Sequence, residues 1–141
     1  MAKKIVVDSS VILKWLYRED ESFLAQADQL LQQTMDNGIK LLTPELAKYE
    51  IGNVLLKAKL LSQDEGHESL SVFYSLPIEF ITETFELSKE TFEIGIQSGM
   101  TYYDASFIAL AKQEDAILVT DNPKHQTKIS GVKVVPLGEY K

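Results

Sequence analysis

Short β-rich runs alternate with segments of helical periodicity along the whole 141-residue chain, which predicts an α/β fold. Three observations carry that expectation. Compact apolar runs such as KKIVV and AILVT suit buried strands, since parallel strands covered on both faces read as continuous apolar stretches. Between them lie stretches long enough for crossover helices, which parallel pairing requires. No repeat, low-complexity tract or linker interrupts the series, so residues 1–141 read as one domain. The expected architecture is three layers, α/β/α, around a parallel five-stranded sheet.

The elements follow in order. Lys4–Val7 is a first strand, and Ser9–Tyr17 a short helix with Val11, Ile12 and Trp15 on one face. Glu19–Asn37 carries Phe23, Leu24, Ala27, Leu30 and Leu31 at helical spacing, with Asn37-Gly38 as its stop. Lys40–Leu42 is a minimal second strand. Thr43-Pro44 is expected to cap and open the next helix, since proline is tolerated in a first turn. That helix extends to about Leu60, with Ala47, Ile51, Val54, Leu55 and Ala58 along one stripe. Ser62 and Glu65 form a capping-box pattern for a helix ending before Pro77. Ile78–Ile81 is a third strand. Thr84–Ser98 is helical with Phe85, Phe92 and Ile96 aligned, and Gly99 stops it. Tyr102–Gln113 is a helix, Ala116–Val119 a fourth strand, Pro123–Ile129 a polar turn or helix, and Val132–Val135 a fifth strand.

Composition excludes several classes of protein. With no cysteine, neither a disulfide nor a thiolate metal site can form. The apolar runs fall far short of the ~20 residues of a membrane span, and MAKKIVVDSS lacks a signal-peptide core. A soluble cytoplasmic protein is expected. The formal charge of −7 argues against a duplex-DNA coat, which would carry a basic face. It leaves open a nuclease whose acids are balanced by metal, with local phosphate contacts from Lys14, Arg18, Lys48, Lys57, Lys124, His125 or Lys128.

Four acids punctuate the apolar runs: Asp8 after KKIVV, Glu50 in PELAKYEIGNVL, Asp104 in TYYDASFIALA and Asp121 after AILVT. Ligands of parallel sheets bind beyond the carboxyl ends of the strands. Asp8 and Asp121 follow strand ends, while Glu50 and Asp104 lie near helix starts that could share that rim. Each has a plain structural use: Asp8 as a helix cap, Asp104 at a positive helix end, Asp121 in a turn with Asn122-Pro123, and Glu50 as a surface acid beside its core stripe. Together they suggest convergence. Carboxylate oxygens suit Mg²⁺ or Mn²⁺, whereas His67 and His125 are too few for an ordinary zinc site.

The ordered segments VVDSSVILKWL, PELAKYEIGNVL, YYDASFIALAK and AILVTDNPKH resemble the PIN-domain family, specifically the VapC-type toxins of VapBC toxin–antitoxin pairs. That resemblance implies a PIN-like fold, a carboxylate pocket holding Mg²⁺ or Mn²⁺, and ribonuclease activity leaving a 5′-phosphate and 3′-hydroxyl. It also implies a tRNA or rRNA substrate, a homodimer and a cognate antitoxin. By motif, Asp8 and Asp104 match the central metal-binding aspartates and Glu50 the acid of an E-x-x-N helix, with Asn53 as its amide. The last motif departs from the common pattern, which places an acid where this chain has Asn122. Either Asp121 supplies the fourth carboxylate or Asn122 supplies a neutral oxygen. Thr120, Ser9 and Ser10 are expected to orient ligands or water.

Two rivals remain at this level. A PIN-like binding module weakened by its altered last motif would bind without cutting. A phosphoacceptor receiver domain would need an acidic pair after its first strand and an aspartate ending its third. Here Ser9 and Ser10 follow Asp8, and Thr82 follows Ile81. Trp15, Leu16 and Tyr17, with Phe73 and Tyr74, are candidates for a groove that receives an antitoxin helix, or simply core.

Overall fold

The computed structural model describes residues 2–18, 22–57, 61–122 and 131–141. Five parallel strands form one sheet in the order β3-β2-β1-β4-β5. They are β1 (Lys3–Val7), β2 (Ile39–Pro44), β3 (Ile78–Ile81), β4 (Ile117–Thr120) and β5 (Val134–Pro136). Six helices connect them: α1 (Ser9–Leu16), α2 (Leu24–Met35), α3 (Ala47–Lys57), α4 (Gln63–Ser75), α5 (Phe85–Ser98) and α6 (Tyr102–Gln113). The chain builds outward from β1 through β2 to β3, then returns to place β4 on the other side of β1. That reversal opens a crevice at the carboxyl ends of β1 and β4, the usual ligand position in such sheets.

Sequence explains the layers. Ile5, Val6 and Val7 of β1, with Leu118 and Val119 of β4, are fully buried at the centre of the sheet. Helix α6 lies against β1, β2 and β4, and α5 packs upon it. Every residue of α6 from Ala105 to Ala111 is buried, and the small Ala105, Ser106, Ala109 and Ala111 let it fit between sheet and helix. A helix apolar on all sides is a buried one. Around α1 pack α2, α3 and α4. Trp15 of α1 is buried, its indole N–H donating to the Ala27 carbonyl at 2.8 Å.

Several elements differ from expectation. Thr43 and Pro44 end β2 instead of opening a helix. Thr43 is fully buried, its hydroxyl donates to the Val7 carbonyl at 2.8 Å, and Pro44 stands opposite Ile81. Proline is acceptable there because the next residue supplies the donor: the Glu45 N–H reaches the Ile81 carbonyl at 3.1 Å. Helix α3 begins only at Ala47. Helix α2 begins at Leu24, because Phe23 adopts a left-handed backbone (φ 60°) and lies partly exposed. In α3, Ala47, Ile51 and Leu55 face inward but Val54 does not. In α5 the buried face is Leu87, Thr91 and Ile94, while Phe85, Phe92 and Ile96 are 73%, 60% and 68% exposed. Thr91 tolerates burial because its hydroxyl donates to the Leu87 carbonyl at 2.8 Å. The Ser62–Glu65 capping box and the left-handed Gly99 stop stand as expected. The turn expected at Pro123–Ile129 and the end of the Glu50 helix near Leu60 lie outside the described residues, as do Lys124, His125 and Lys128.

Candidate functional site

Asp8 sits one residue past β1 and caps α1 from an extended backbone (φ −96°, ψ 178°). One carboxylate oxygen, Oδ1, accepts from the Ser10 N–H at 3.1 Å, the Ser10 hydroxyl at 2.5 Å and the Val11 N–H at 3.4 Å. The other, Oδ2, accepts from the buried Thr120 hydroxyl at 2.5 Å, across from the end of β4. Asp8 is only 7% exposed. Burial pushes its carboxyl up from the ordinary range; the hydroxyl and N–H donors pull the other way without cancelling it. Capping and site-building are thus one role, since the same donors that begin α1 fix the carboxylate.

Glu50 projects from the first turn of α3, whose entry is closed by the Leu46 carbonyl accepting its N–H at 3.1 Å. The Ser9 hydroxyl donates to Glu50 Oε1 at 2.8 Å and so ties α3 to α1. Burial raises the Glu50 carboxyl, the Ser9 hydrogen bond lowers it, and the charges of Asp104 and Asp8 raise it further. Asp104 lies in the first turn of α6, its N–H capped by the Thr101 hydroxyl at 3.1 Å. There the positive end of a buried helix favours a negative side chain.

Asp8, Glu50 and Asp104 line one cavity of about 120 Å³ together with Ser9, Ser10, Phe107 and Asn122. None of these lining residues is cationic. Asp121 is not among them. It turns instead to Lys14, with Nζ 3.1 Å from Oδ2, and lines an adjoining, larger and mainly apolar cavity of about 580 Å³ with Asn53, Leu13, Tyr17 and Val54. Three of the four expected acids are therefore brought together, and Asn122 stands where the fourth was sought. Asn53, expected beside Glu50, faces the adjoining cavity. Thr120, Ser9 and Ser10 all contact site carboxylates.

Sequence reading missed two residues here. Phe107 supplies an apolar wall, and the i, i+3 step from Asp104 was the available signal. Lys14, expected as a phosphate contact, is 3% exposed and spent on Asp121. Its place one turn after Ser10 on a short helix gave a weak hint. Arg18 pairs with Asp28, and Lys48 with Glu45 while its ammonium lies 4.7 Å from the Phe80 ring centre. Trp15 and Phe73 are core residues, which removes them as anchors of a partner groove.

The donor set can be tested against a metal. Among the described residues, no three acidic or histidine side chains enclose an ion unaided. An all-oxygen cluster with no cation among its described lining residues nevertheless suits a hard divalent ion that takes one or two carboxylates and keeps its waters. Burial raises Glu50 most, and the charges of Asp104 and Asp8 add to it; that added part points the same way, because a bound cation would relieve it.

A parallel α/β protein with an acidic cavity at its topological switch point is the class that fold and site define. Residues 5–131 match the PIN domain. The chain is 31% identical over 121 residues to ribonuclease VapC3 of Pyrobaculum aerophilum, covering 83% of this chain and 88% of that one. Among solved structures, VapBC2 of Rickettsia felis bound to a promoter DNA fragment aligns with a TM-score of 0.72 at 17% identity, over 94% of this chain and 98% of that one. VapC20 of Mycobacterium tuberculosis, a sarcin–ricin loop cleaving toxin, aligns with a TM-score of 0.65 at 12% identity, over 86% and 92%. The chain belongs to the PIN-domain family and is of the VapC type. The receiver-domain alternative falls with that membership.

Proposed function

We propose that this protein is a Mg²⁺- or Mn²⁺-dependent endoribonuclease acting as the toxin of a toxin–antitoxin pair. The observation that carries the reading is the convergence of Asp8, Glu50 and Asp104 on one cavity whose described lining contains no cation. The likeness to a curated ribonuclease over most of both chains supports it.

Asp8 and Asp104 would hold the ion, with Glu50 acting through water and Asn122 offering a neutral oxygen. When bound, the ion supplies charge stabilisation at the phosphodiester and a more acidic water. The chain's own residues do the positioning. Ser10 and Thr120 hold the two oxygens of Asp8, so the carboxylate cannot turn away. Ser9 holds Glu50 facing the cavity, and Phe107 closes one wall against solvent. In hydrolysis, water adds to phosphorus, the bond to the 3′ oxygen breaks, and that oxygen leaves with a proton. The products are a 5′-phosphate and a 3′-hydroxyl.

RNA sequence is usually read in unpaired loops and ends, and the family resemblance makes a tRNA or rRNA loop the proposed substrate. A cognate antitoxin, a homodimer and a cytoplasmic location belong to the same reading; among the described residues no helix is long and apolar enough to cross a membrane. Incubating the purified protein with structured RNA and Mn²⁺ tests the proposal. Cleavage is expected from the native protein and not from Asp8→Asn or Asp104→Asn. Equal cleavage by all three would overturn the site assignment. Metal binding without cleavage would favour the weakened binding module.

A further inference from the structure

Among the described residues, Lys14 is the only lysine or arginine that is buried, and it meets Asp121 directly beside the acidic cavity. Four residues earlier on the same helix stands Ser10, so both side chains share one face of α1. Ser10 Oγ accepts the Asp121 N–H at 2.9 Å while its own proton goes to Asp8 Oδ1. Helix α1 thus grips residue 121 twice, through its backbone and through its carboxylate. The next N–H, that of Asn122, donates to Thr120 Oγ1 at 3.0 Å, and Thr120 passes its own proton to Asp8 Oδ2. Two hydroxyl relays therefore run from consecutive N–H groups of the turn after β4 to the two oxygens of one carboxylate.

Consecutive residues of this turn line different cavities: Asp121 pairs with Lys14 at the apolar one, and Asn122 lines the acidic one with Asp8, Glu50 and Asp104. Swinging Asp121 into the acidic cavity would separate a buried ammonium from its carboxylate, a strongly unfavourable change. It would also add a fourth negative charge to a cluster that already raises Glu50.

We propose that Lys14 and Asp121 form a positioning pair that locks the turn after β4, holding Asn122 at the acidic cavity and fixing Asp8 through Ser10. Neither touches RNA or the ion. The consequence for cleavage rests on the nuclease reading above; the consequence for the turn does not.

The test uses Lys14→Met, which keeps most of the length of the side chain, removes its charge and leaves Asp121 partly solvated, beside Asp121→Asn and the double variant. In the metal-free protein, the amide resonances of Asp121, Asn122 and Ser10 are expected to move in Lys14→Met while those of Ile78–Ile81 at the sheet edge stay. With RNA and Mn²⁺, kcat is expected to fall about 10–100-fold with little change in KM, as for other groups that orient ligands. The double variant should cut no more slowly than the slower single variant, because both remove one interaction. Unmoved amides with native kcat in Lys14→Met would overturn the proposal. Tighter Mn²⁺ binding in Lys14→Met would also overturn it, since that is the mark of an Asp121 ligand released from a competing cation. If the native protein cuts no RNA, the nuclease reading fails and the amide shifts still decide the pair. Should Asp121→Asn unfold, Lys14→Met alone carries the test.

Discussion

Two pockets flank the turn after β4, and the chain treats their carboxylates in opposite ways. On one side Asp121 meets a buried lysine, and the charge is balanced inside the protein. On the other, Asp8, Glu50 and Asp104 gather with Ser9, Ser10 and Asn122, and no lysine or arginine is among the described residues that line the cavity. Among the described residues a cation stands beside an acid within a few residues of the site, and none lines the acidic cavity. Under the proposed function the acidic cluster is a receptor for an external cation, while the balanced pair is framework.

The comparison can be broken most sharply by neutralising each side in turn. Asp8→Asn and Asp104→Asn are expected to reduce RNA cleavage more than ~100-fold, beyond the range for groups that merely orient ligands. Their fold should persist, because asparagine caps a helix about as well as aspartate at position 8, and at position 104 the helix keeps its Thr101 cap; circular dichroism checks this. Thr120→Val and Ser9→Ala remove single hydroxyl contacts to Asp8 and Glu50. They should lower kcat about 10–100-fold and ~10-fold respectively, measured in the same assay.

Smaller effects sharpen the contrast through stability. Mn²⁺ at a hundred times its Kd should stabilise the native protein by about 2.7 kcal/mol, seen as a raised Tm, and should leave Asp8→Asn unmoved. Proton linkage gives a further check. Asp8 and Glu50 both have raised carboxyls, so above the unfolded values of about 3.9 and about 4.3 the native state holds more protons than the unfolded one. Their contribution to stability is therefore greatest at acidic pH and declines as pH rises through the raised values. Urea unfolding of metal-free protein should show that decline. It should be smaller in Asp8→Asn and in the presence of Mn²⁺. Lys14→Met should leave it in place, since the Asp8 and Glu50 carboxyls remain.

Much of this was legible in the sequence because parallel α/β folds announce themselves locally. Buried strands are continuous apolar runs, and the acids that follow them fall on the ligand-binding rim by topology alone. Glu50 was readable from its place beside the Ile51 stripe. What failed were choices between equivalent local signals. Thr43-Pro44 fits both a helix start and a strand end, and pairing with β3 decided for the strand. On α5, Phe85, Phe92 and Ile96 recur at helical spacing as well as Leu87, Thr91 and Ile94 do. Only packing against α6 selected the second set, helped by the internal hydrogen bond of Thr91. Asp121 and Asn122 are adjacent and line different cavities, so the local backbone decides which of them reaches the acidic one. No spacing rule encodes that choice; a buried lysine one turn into α1 does.

Calorimetric titration of Mn²⁺ into the metal-free protein tests the receptor claim most directly. Saturable binding to the native chain that is lost in both Asp8→Asn and Asp104→Asn is the predicted result. Undiminished binding in those two variants, or no binding to the native chain at all, would contradict it.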